Sequence, residues 1–189
     1  MVEYLSERGV TSKFVCPIPV GDPATEIVNA SKREGVEAIL IGARGRSVDK
    51  DVLLGSVAEG VIRKSHIPVI VVKDRLRFDR LLFAHDLSDR SWSLLRILNS
   101  KLLVVHVPER QSEAIARSKL AHLRSYDGKI EGILVRSGVP SKEILRCERE
   151  EDVDAIVLCG YGVTADAVIR HSKSSIIYFP NSALIPGSI

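Results

Sequence analysis

The chain has little sulfur, few aromatic residues and no long apolar run, and each shortage excludes something. Its three cysteines, Cys16, Cys147 and Cys159, are odd in number and form no Cys-x-x-Cys pair. They support neither a disulfide framework nor a zinc ribbon, and they read as small buried residues of a reducing compartment. Aromatic residues are 5% of the 189, against 45% apolar in all, so the interior is aliphatic. Such a composition excludes a disordered chain and suits parallel strands covered by helices. No apolar run approaches the ~20 residues that span a bilayer. The first residues lack the pattern of a signal peptide, and the expected location is the cytoplasm. The net charge is +3, with both signs scattered and no basic block, which argues against nucleic acid as a partner. His66, His106, His122 and His171 lack metal-ligand spacing, so no metal site is expected.

What the chain does have is a repeat of itself. Gly21-Asp22-Pro23-Ala24-Thr25-Glu26-Ile27 returns as Gly138-Val139-Pro140-Ser141-Lys142-Glu143-Ile144, 117 residues on. Val36-Glu37-Ala38-Ile39 returns as Val153-Asp154-Ala155-Ile156 at the same offset. Val61-Ile62-Arg63-Lys64-Ser65 returns as Val168-Ile169-Arg170-His171-Ser172, now 107 residues on. The second copy has therefore lost ten residues, corresponding to Arg46 through Gly55. Self-similarity of this kind outranks any single motif as a guide to architecture.

Local signals place the elements. Asp22 is a helix N-cap candidate, Pro23 is tolerated at the first helical position, and Gly35 ends the helix. Residues 36–41 and 67–72 are short β-branched runs of buried-strand type. Between them, Val57, Ala58, Val61 and Ile62 have helical spacing. The second copy adds strands at 80–85 and 101–107. It also adds a helix carrying Trp92, Leu95 and Leu98 inward, a further helix at 111–124, and a last strand at 175–179. Strands that alternate with helices predict an α/β protein with a doubly wound parallel sheet. The boundary falls at the charged stretch 73–77, giving domains 1–75 and 76–189. The first has strand candidates at 12–18, 36–41 and 67–72 only, and 1–8 reads as the tail of a helix.

One stretch carries chemistry. Gly42-Ala43-Arg44-Gly45, nine residues, then Gly55-Ser56 lies between a strand and a helix. Glycines there let backbone approach a ligand closely, and the helix that follows offers unpaired N–H groups and the positive end of its dipole. A phosphate chain fits such a place. Ser56 with Glu59 also matches a capping box, so an ordinary capped turn remains open beside the phosphate reading. The pattern is not a Walker P-loop, because Gly-x4-Gly-Lys-Ser/Thr is absent.

Gly42-x2-Gly45-x9-Gly55-Ser56, with Gly-Asp-Pro upstream and Pro-Val-Ile-Val-Val downstream, resembles the universal stress protein family in a tandem arrangement. The resemblance implies a five-stranded parallel sheet in the order 3-2-1-4-5 and a pseudo-dimer. It implies ATP or AMP as ligand, with or without Mg²⁺, held by Gly42, Gly45, Gly55 and Ser56, and Arg44 and the Val57 N–H complete the expected site. The family's adenosine contacts would correspond to Asp86 and the strand end near Val107, yet both lie in the second copy. There the loop reads Cys159-Gly160-Tyr161-Gly162, with Cys159 for the first glycine, Gly162 for the second, and Gly-Ser gone. The family's pairing through the last strand implies a homo-oligomer, or an intrachain pseudo-dimer through 67–72 and 175–179.

The first copy lacks its strand 1, helix 1 and strand 2. Three sources stay open: a longer polypeptide, a partner chain, or residues 76–128 completing the first copy as a circular permutation. The expected function is that of an adenine-nucleotide-binding protein of the stress response and not an efficient enzyme, with 46–54 ordered by the nucleotide. Two alternatives remain: a nucleotide-independent interaction protein, and a slow ATPase. No catalytic residue is assigned. His85 and Asp86 are neighbours on a strand, so they point to opposite faces and do not form a dyad.

Overall fold

The computed structural model describes residues 20–44, 54–73, 77–108, 112–121, 123 and 128–183. The strand expected at 12–18 and the helix tail at 1–8 lie outside them, as do Gly45 and residues 46–53. The elements run α1 (Pro23–Glu34), β1 (Ile39–Gly42), α2 (Ser56–Lys64), β2 (Val69–Val72), β3 (Arg80–Ala84), α3 (Asp89–Ile97) and β4 (Lys101–His106). They continue α4 (Glu113–Ala121), β5 (Ile130–Val135), α5 (Pro140–Glu151), β6 (Ala155–Cys159), α6 (Val163–His171) and β7 (Ser175–Phe179).

The start of α1 follows its local signals. The Asp22 carboxylate accepts from the Thr25 N–H at 3.0 Å, and Pro23 opens the helix. Gly35 closes it in the left-handed region at φ 61°. That closure delays β1. The Val36 N–H donates back to Ser31 O at 3.2 Å, so Val36 belongs to the cap and pairing starts only at Ile39. β2 is also shorter than 67–72. The Ser65 hydroxyl bonds Ile67 O at 2.7 Å in a tight turn, and Pro68 has no N–H to give a ladder. In α3 the inward residues are Ser91, Leu94 and Leu95. Trp92 is half-buried, and Leu98 is the residue that ends the helix.

Seven strands form one sheet in the order β1-β2-β7-β6-β3-β4-β5. Every neighbouring pair is parallel except β2 with β7. Within the second half the order β5-β4-β3-β6-β7 is 3-2-1-4-5. β3 pairs with β4 and β6 and not with β1, which overturns the circular permutation, since residues 76–128 complete the second half. Alternate residues face opposite ways along each strand. On one face Leu82, Leu103, Ile156 and Ile176 meet α1, α2, α5 and α6. On the other, Leu81, Phe83, Val104 and Val157 meet α3 and α4.

The elements recur at the sequence offsets. α1 and α5 begin and end 117 residues apart, and α2 and α6 do so 107 apart. Across β2 and β7, Val69 faces Tyr178, Ile70 faces Ile177 and Val71 faces Ile176. Ile70 and Ile177 are 107 residues apart, so they are the same position of the repeat. A local two-fold relation therefore passes through that pair, and self-complementary pairing is what such symmetry requires. Among the described residues no helix is long and apolar enough to cross a membrane.

Candidate functional site

β2 runs antiparallel to β7, so the carboxyl ends of β1 and β2 lie at one end of the sheet. Those of β3, β4 and β6 lie at the other. Parallel sheets take ligands beyond their carboxyl ends. The chain thus has two candidate locations, one per half, and they cannot merge into one.

The first is built on β1 and α2. The Ala43 N–H donates to Val72 O at 2.8 Å, and the Gly55 N–H donates to Ala43 O at 2.7 Å. These bonds draw the start of α2 onto the end of β1. A side chain at Gly55 would put its Cβ 3.3 Å from Ala43 O, a tight contact that glycine avoids. Gly55 is the N-cap, and no side chain caps the helix. Ser56 is therefore the first helical residue and not the cap, and the capping box does not form. Glu59, which would have reached back in such a box, pairs with Arg63 at 3.1 Å and with Arg170. The N–H groups of Ser56, Val57 and Ala58 precede the first intrahelical bond, which Glu59 N makes to Gly55 O at 3.0 Å. They have no intrahelical partner. Gly42 and Arg44 are exposed beside them.

The second location is an open cavity of about 810 Å³. Ala84, Val105, Val107 and Leu158 line it together with Asp86, and the turn from Cys159 into α6 closes one side. Asp86 and Val107, which follow the paired strands β3 and β4, are brought together here. They are not brought to Gly42, Gly55 or Ser56, because the antiparallel β2–β7 junction sends the two sets to opposite ends. The single site that would join all of them is thereby excluded. Gly162 is the N-cap of α6, as Gly55 is of α2. Gly162 thus keeps the place of Gly55, and what the second copy lacks is the loop before it and the serine after it.

Asp86 is held ionised. Burial pushes its carboxyl up, but hydrogen bonds from Ser88 and Ser91 outweigh that and leave it below the usual range. The Ser88 N–H and hydroxyl reach Oδ1 at 2.9 and 2.6 Å, and the Ser91 hydroxyl reaches it at 2.6 Å. All three settle on one oxygen, Oδ1. His85 turns to the opposite face, between the rings of Phe83 and Trp92, and its Nδ1 accepts from the Leu87 N–H at 2.9 Å. The two neighbours serve different elements.

Between the two locations lies a group that the motifs did not single out. Glu59 and Arg63 on α2 face Asp166 and Arg170 on α6. Arg63 reaches Glu59 at 3.1 Å and Asp166 at 3.3 Å. Arg170 reaches Asp166 at 3.0 Å and also bonds Glu59. Glu59 and Asp166 are 107 residues apart, as are Arg63 and Arg170. The ring therefore obeys the same two-fold relation as Ile70 and Ile177. Tyr161 adjoins it. Its hydroxyl donates to Asp166, and the Arg63 guanidinium lies 5.0 Å above its ring. Burial first, then the bond to Asp166, pushes the Tyr161 phenol up to about 12. The match of Arg63 with Arg170 in the repeat was the available signal.

These features define a doubly wound α/β protein in which a glycine-capped helix starts beyond the strand ends of each half. Residues 6–73 match the sequence model of the universal stress protein family. Relatives include universal stress protein MJ0577 of Methanocaldococcus jannaschii, 52% identical over 56 residues, or 30% of this chain and 35% of that protein. Universal stress protein YxiE of Bacillus subtilis is 39% identical over 71 residues, or 38% of this chain and 47% of that protein. The chain spans a third to a half of the length of these relatives. A solved universal stress protein from Archaeoglobus fulgidus superposes with a TM-score of 0.77 at 29% identity, over 95% of this chain and 74% of that one.

Proposed function

We propose that this chain binds an adenine nucleotide, ATP or AMP, as a cytoplasmic stress-response protein of two universal-stress-like domains, 1–75 and 76–189. The phosphates lie against Gly42, Arg44, Gly45, Gly55, Ser56 and the Val57 N–H. One observation carries the reading. The N-terminus of α2, uncapped by any side chain, is tied to the end of β1 by the Gly55–Ala43 bond of 2.7 Å. Free N–H groups, glycine clearance and the helix dipole converge there. Asp86 and Val107 take no part at this loop, so the adenosine end rests on groups other than these two. Mg²⁺ would accompany ATP through the phosphates. The nucleotide orders residues 46–54 and so alters packing or partner choice.

The test is nucleotide retention. Purified chain is heat-denatured and the supernatant chromatographed for ATP and AMP, beside a Gly55→Glu variant. Retention in the wild type and loss in the variant supports the reading; equal retention in both refutes the loop assignment. A second reading, a nucleotide-independent interaction protein, is favoured by the symmetric ring and strand pairing between the halves. A chain that carries and binds no adenine nucleotide would leave that reading standing. Steady turnover with Mg²⁺ would instead favour the slow ATPase.

A further inference from the structure

The second copy lacks the ten residues that correspond to Arg46 through Gly55, and the cavity at its strand ends is open. Protein groups already engage much of what is polar on its walls. The Asp86 carboxylate accepts three bonds of the α3 cap on Oδ1. His85 Nδ1 accepts from the Leu87 N–H, and His106 Nδ1 lies 2.7 Å from His85 O. Arg90 and Asp86 act on the Cys159 thiol in opposite senses, so neither charge stands alone beside it. What the cavity offers a newcomer is an aliphatic floor of Ala84, Val105, Leu158 and Ala165. Beside it are the N–H groups of the first turn of α6, which precede the bond from Asp166 N to Gly162 O and so have no intrahelical partner.

The chain returns to this place at the end of β7. Phe179 O accepts from the Gly160 N–H at 2.9 Å, and the Ala183 N–H then donates to Pro180 O at 3.0 Å. Residues 180–183 therefore make a β-turn, which reverses the chain. One terminal nitrogen of Arg90 pins both ends of the turn, at 2.6 Å from Pro180 O and 2.7 Å from Ala183 O. Within the turn, the Asn181 amide lies against Gly160 and lines the cavity. Ala183 is 3% exposed, so the chain is still buried two residues beyond Asn181.

Residues 184–189 lie outside the described residues. Their sequence, Leu184-Ile185-Pro186-Gly187-Ser188-Ile189, has no charge and three large aliphatic side chains. Fully extended they reach at most roughly 20 Å, enough to cross a cavity of about 810 Å³. We infer that residues 184–189 are a strap that folds back from the 180–183 turn and closes the second-half cavity. Leu184 and Ile185 cover the aliphatic floor, and backbone carbonyls of the strap accept from the first turn of α6. The duplicated halves have then parted in use: the chain fills one strand-end location with its own segment and leaves the other open. This holds whether or not the first-half loop takes a nucleotide.

The test reads the Cys159 thiol, which lines the cavity, in the full chain carrying Cys16→Ser. Cys147, fully buried in the core, is the internal control, and mass spectrometry follows each cysteine. The reagent is dithiodipyridine, which is neutral and so is not repelled by Asp86. Leu184→Ser with Ile185→Ser should speed the reaction of Cys159 at least tenfold and leave Cys147 slow. Equal rates at Cys159 with and without the two serines would overturn the inference. A second variant puts the reporter on the strap itself and does not depend on opening it: Ile185→Cys, with Cys16→Ser and Cys159→Ser. Its thiol at position 185 should react at least tenfold more slowly in the native chain than in the same chain unfolded in urea. A native rate equal to the unfolded one would show the segment free in water and would overturn the inference as well.

Discussion

Ile70 and Ile177 stand opposite each other at the centre of the antiparallel β2–β7 junction, and each is the repeat's counterpart of the other. Their side chains share the sheet face that carries Leu81, Phe83 and Val157. They are equivalent in the repeat but not in surroundings. Ile177 is 8% exposed within the cluster, whereas Ile70 is only half-buried against it. Symmetry of the backbone has not carried symmetry of burial, because α3 and α4 cover only the second half of that face.

That asymmetry predicts unequal costs. Ile177→Ala should lower stability by about 2–4 kcal/mol, as for a buried aliphatic side chain. Ile70→Ala should cost clearly less, because part of its surface is already in water. Urea unfolding of the two variants measures the difference. Equal losses would mean that the first half of this face is covered as well as the second.

The four-residue ring predicts non-additivity. Its side chains are 27–50% exposed, so each pair alone should contribute no more than about 1 kcal/mol. Arg63 and Arg170 each touch both acids, so removing one leaves the other to serve two carboxylates. Arg63→Met and Arg170→Met should therefore sum to a loss different from that of the double variant. The coupling should shrink in 1 M salt, where the screening length is about 3 Å. Strict additivity at low salt would show four independent surface pairs and no network.

How much of this was legible depended on distance along the chain. The Asp22 cap and the Gly35 stop were readable because they act within three or four residues. β7 was readable because Ile176, Ile177, Tyr178 and Phe179 are apolar without a break. The duplication was readable because it needs only comparison of the chain with itself. The Ser56 cap failed because Gly55 took the cap position and Arg63 and Arg170 drew Glu59 away, and Arg170 arrives from 111 residues off. That Asp86 and Val107 belong to the other copy from Gly42 and Gly55 was readable, but that the two sets stand at opposite ends of one sheet was hidden for a similar reason. It follows from the direction of β7 against β2, and strand runs in sequence carry no direction relative to a distant partner.

Gly60 lies within α2 and sets how closely α1 and α2 approach. A Cβ on Gly60 would lie 2.6 Å from the Ala24 Cβ, well inside contact distance. Ala167 occupies the corresponding place on α6. Gly60→Ala should therefore fail to gain the roughly 1 kcal/mol that alanine brings in a free helix, and Gly60→Leu should cost about 1–3 kcal/mol through overpacking. Adding Ala24→Gly should restore part of the loss in Gly60→Ala. Thermal unfolding of the three variants checks this, and a stabilised Gly60→Ala would mean that the helices part without cost.

Lys73 follows β2 and reaches into the second half, where its ammonium donates to Ile169 O at 2.6 Å and Ser172 O at 2.7 Å. It caps the end of α6 from the other copy, the sign a helix C-terminus favours. Burial nevertheless pulls its pKa down from 10.5 to about 8, against the pull of nearby Glu148. A base whose pKa is lower folded than unfolded binds fewer protons in the folded state between those two values. Stability must then rise with pH from about 8 to about 10.5, where the unfolded chain keeps a proton that the folded chain has shed. Below pH 8 both states hold it and the burden of the buried charge is present in full, on the order of 3 kcal/mol. Cysteine and tyrosine ionisation also changes stability at high pH, so the measurement is the difference between wild type and Lys73→Met. Urea unfolding from pH 7 to 10.5 should show the wild type gaining on the variant throughout the upper part of that range. A difference that stays level would mean that the ammonium keeps its water, and that the bonds to Ile169 and Ser172 hold the halves together without any dependence on proton loss.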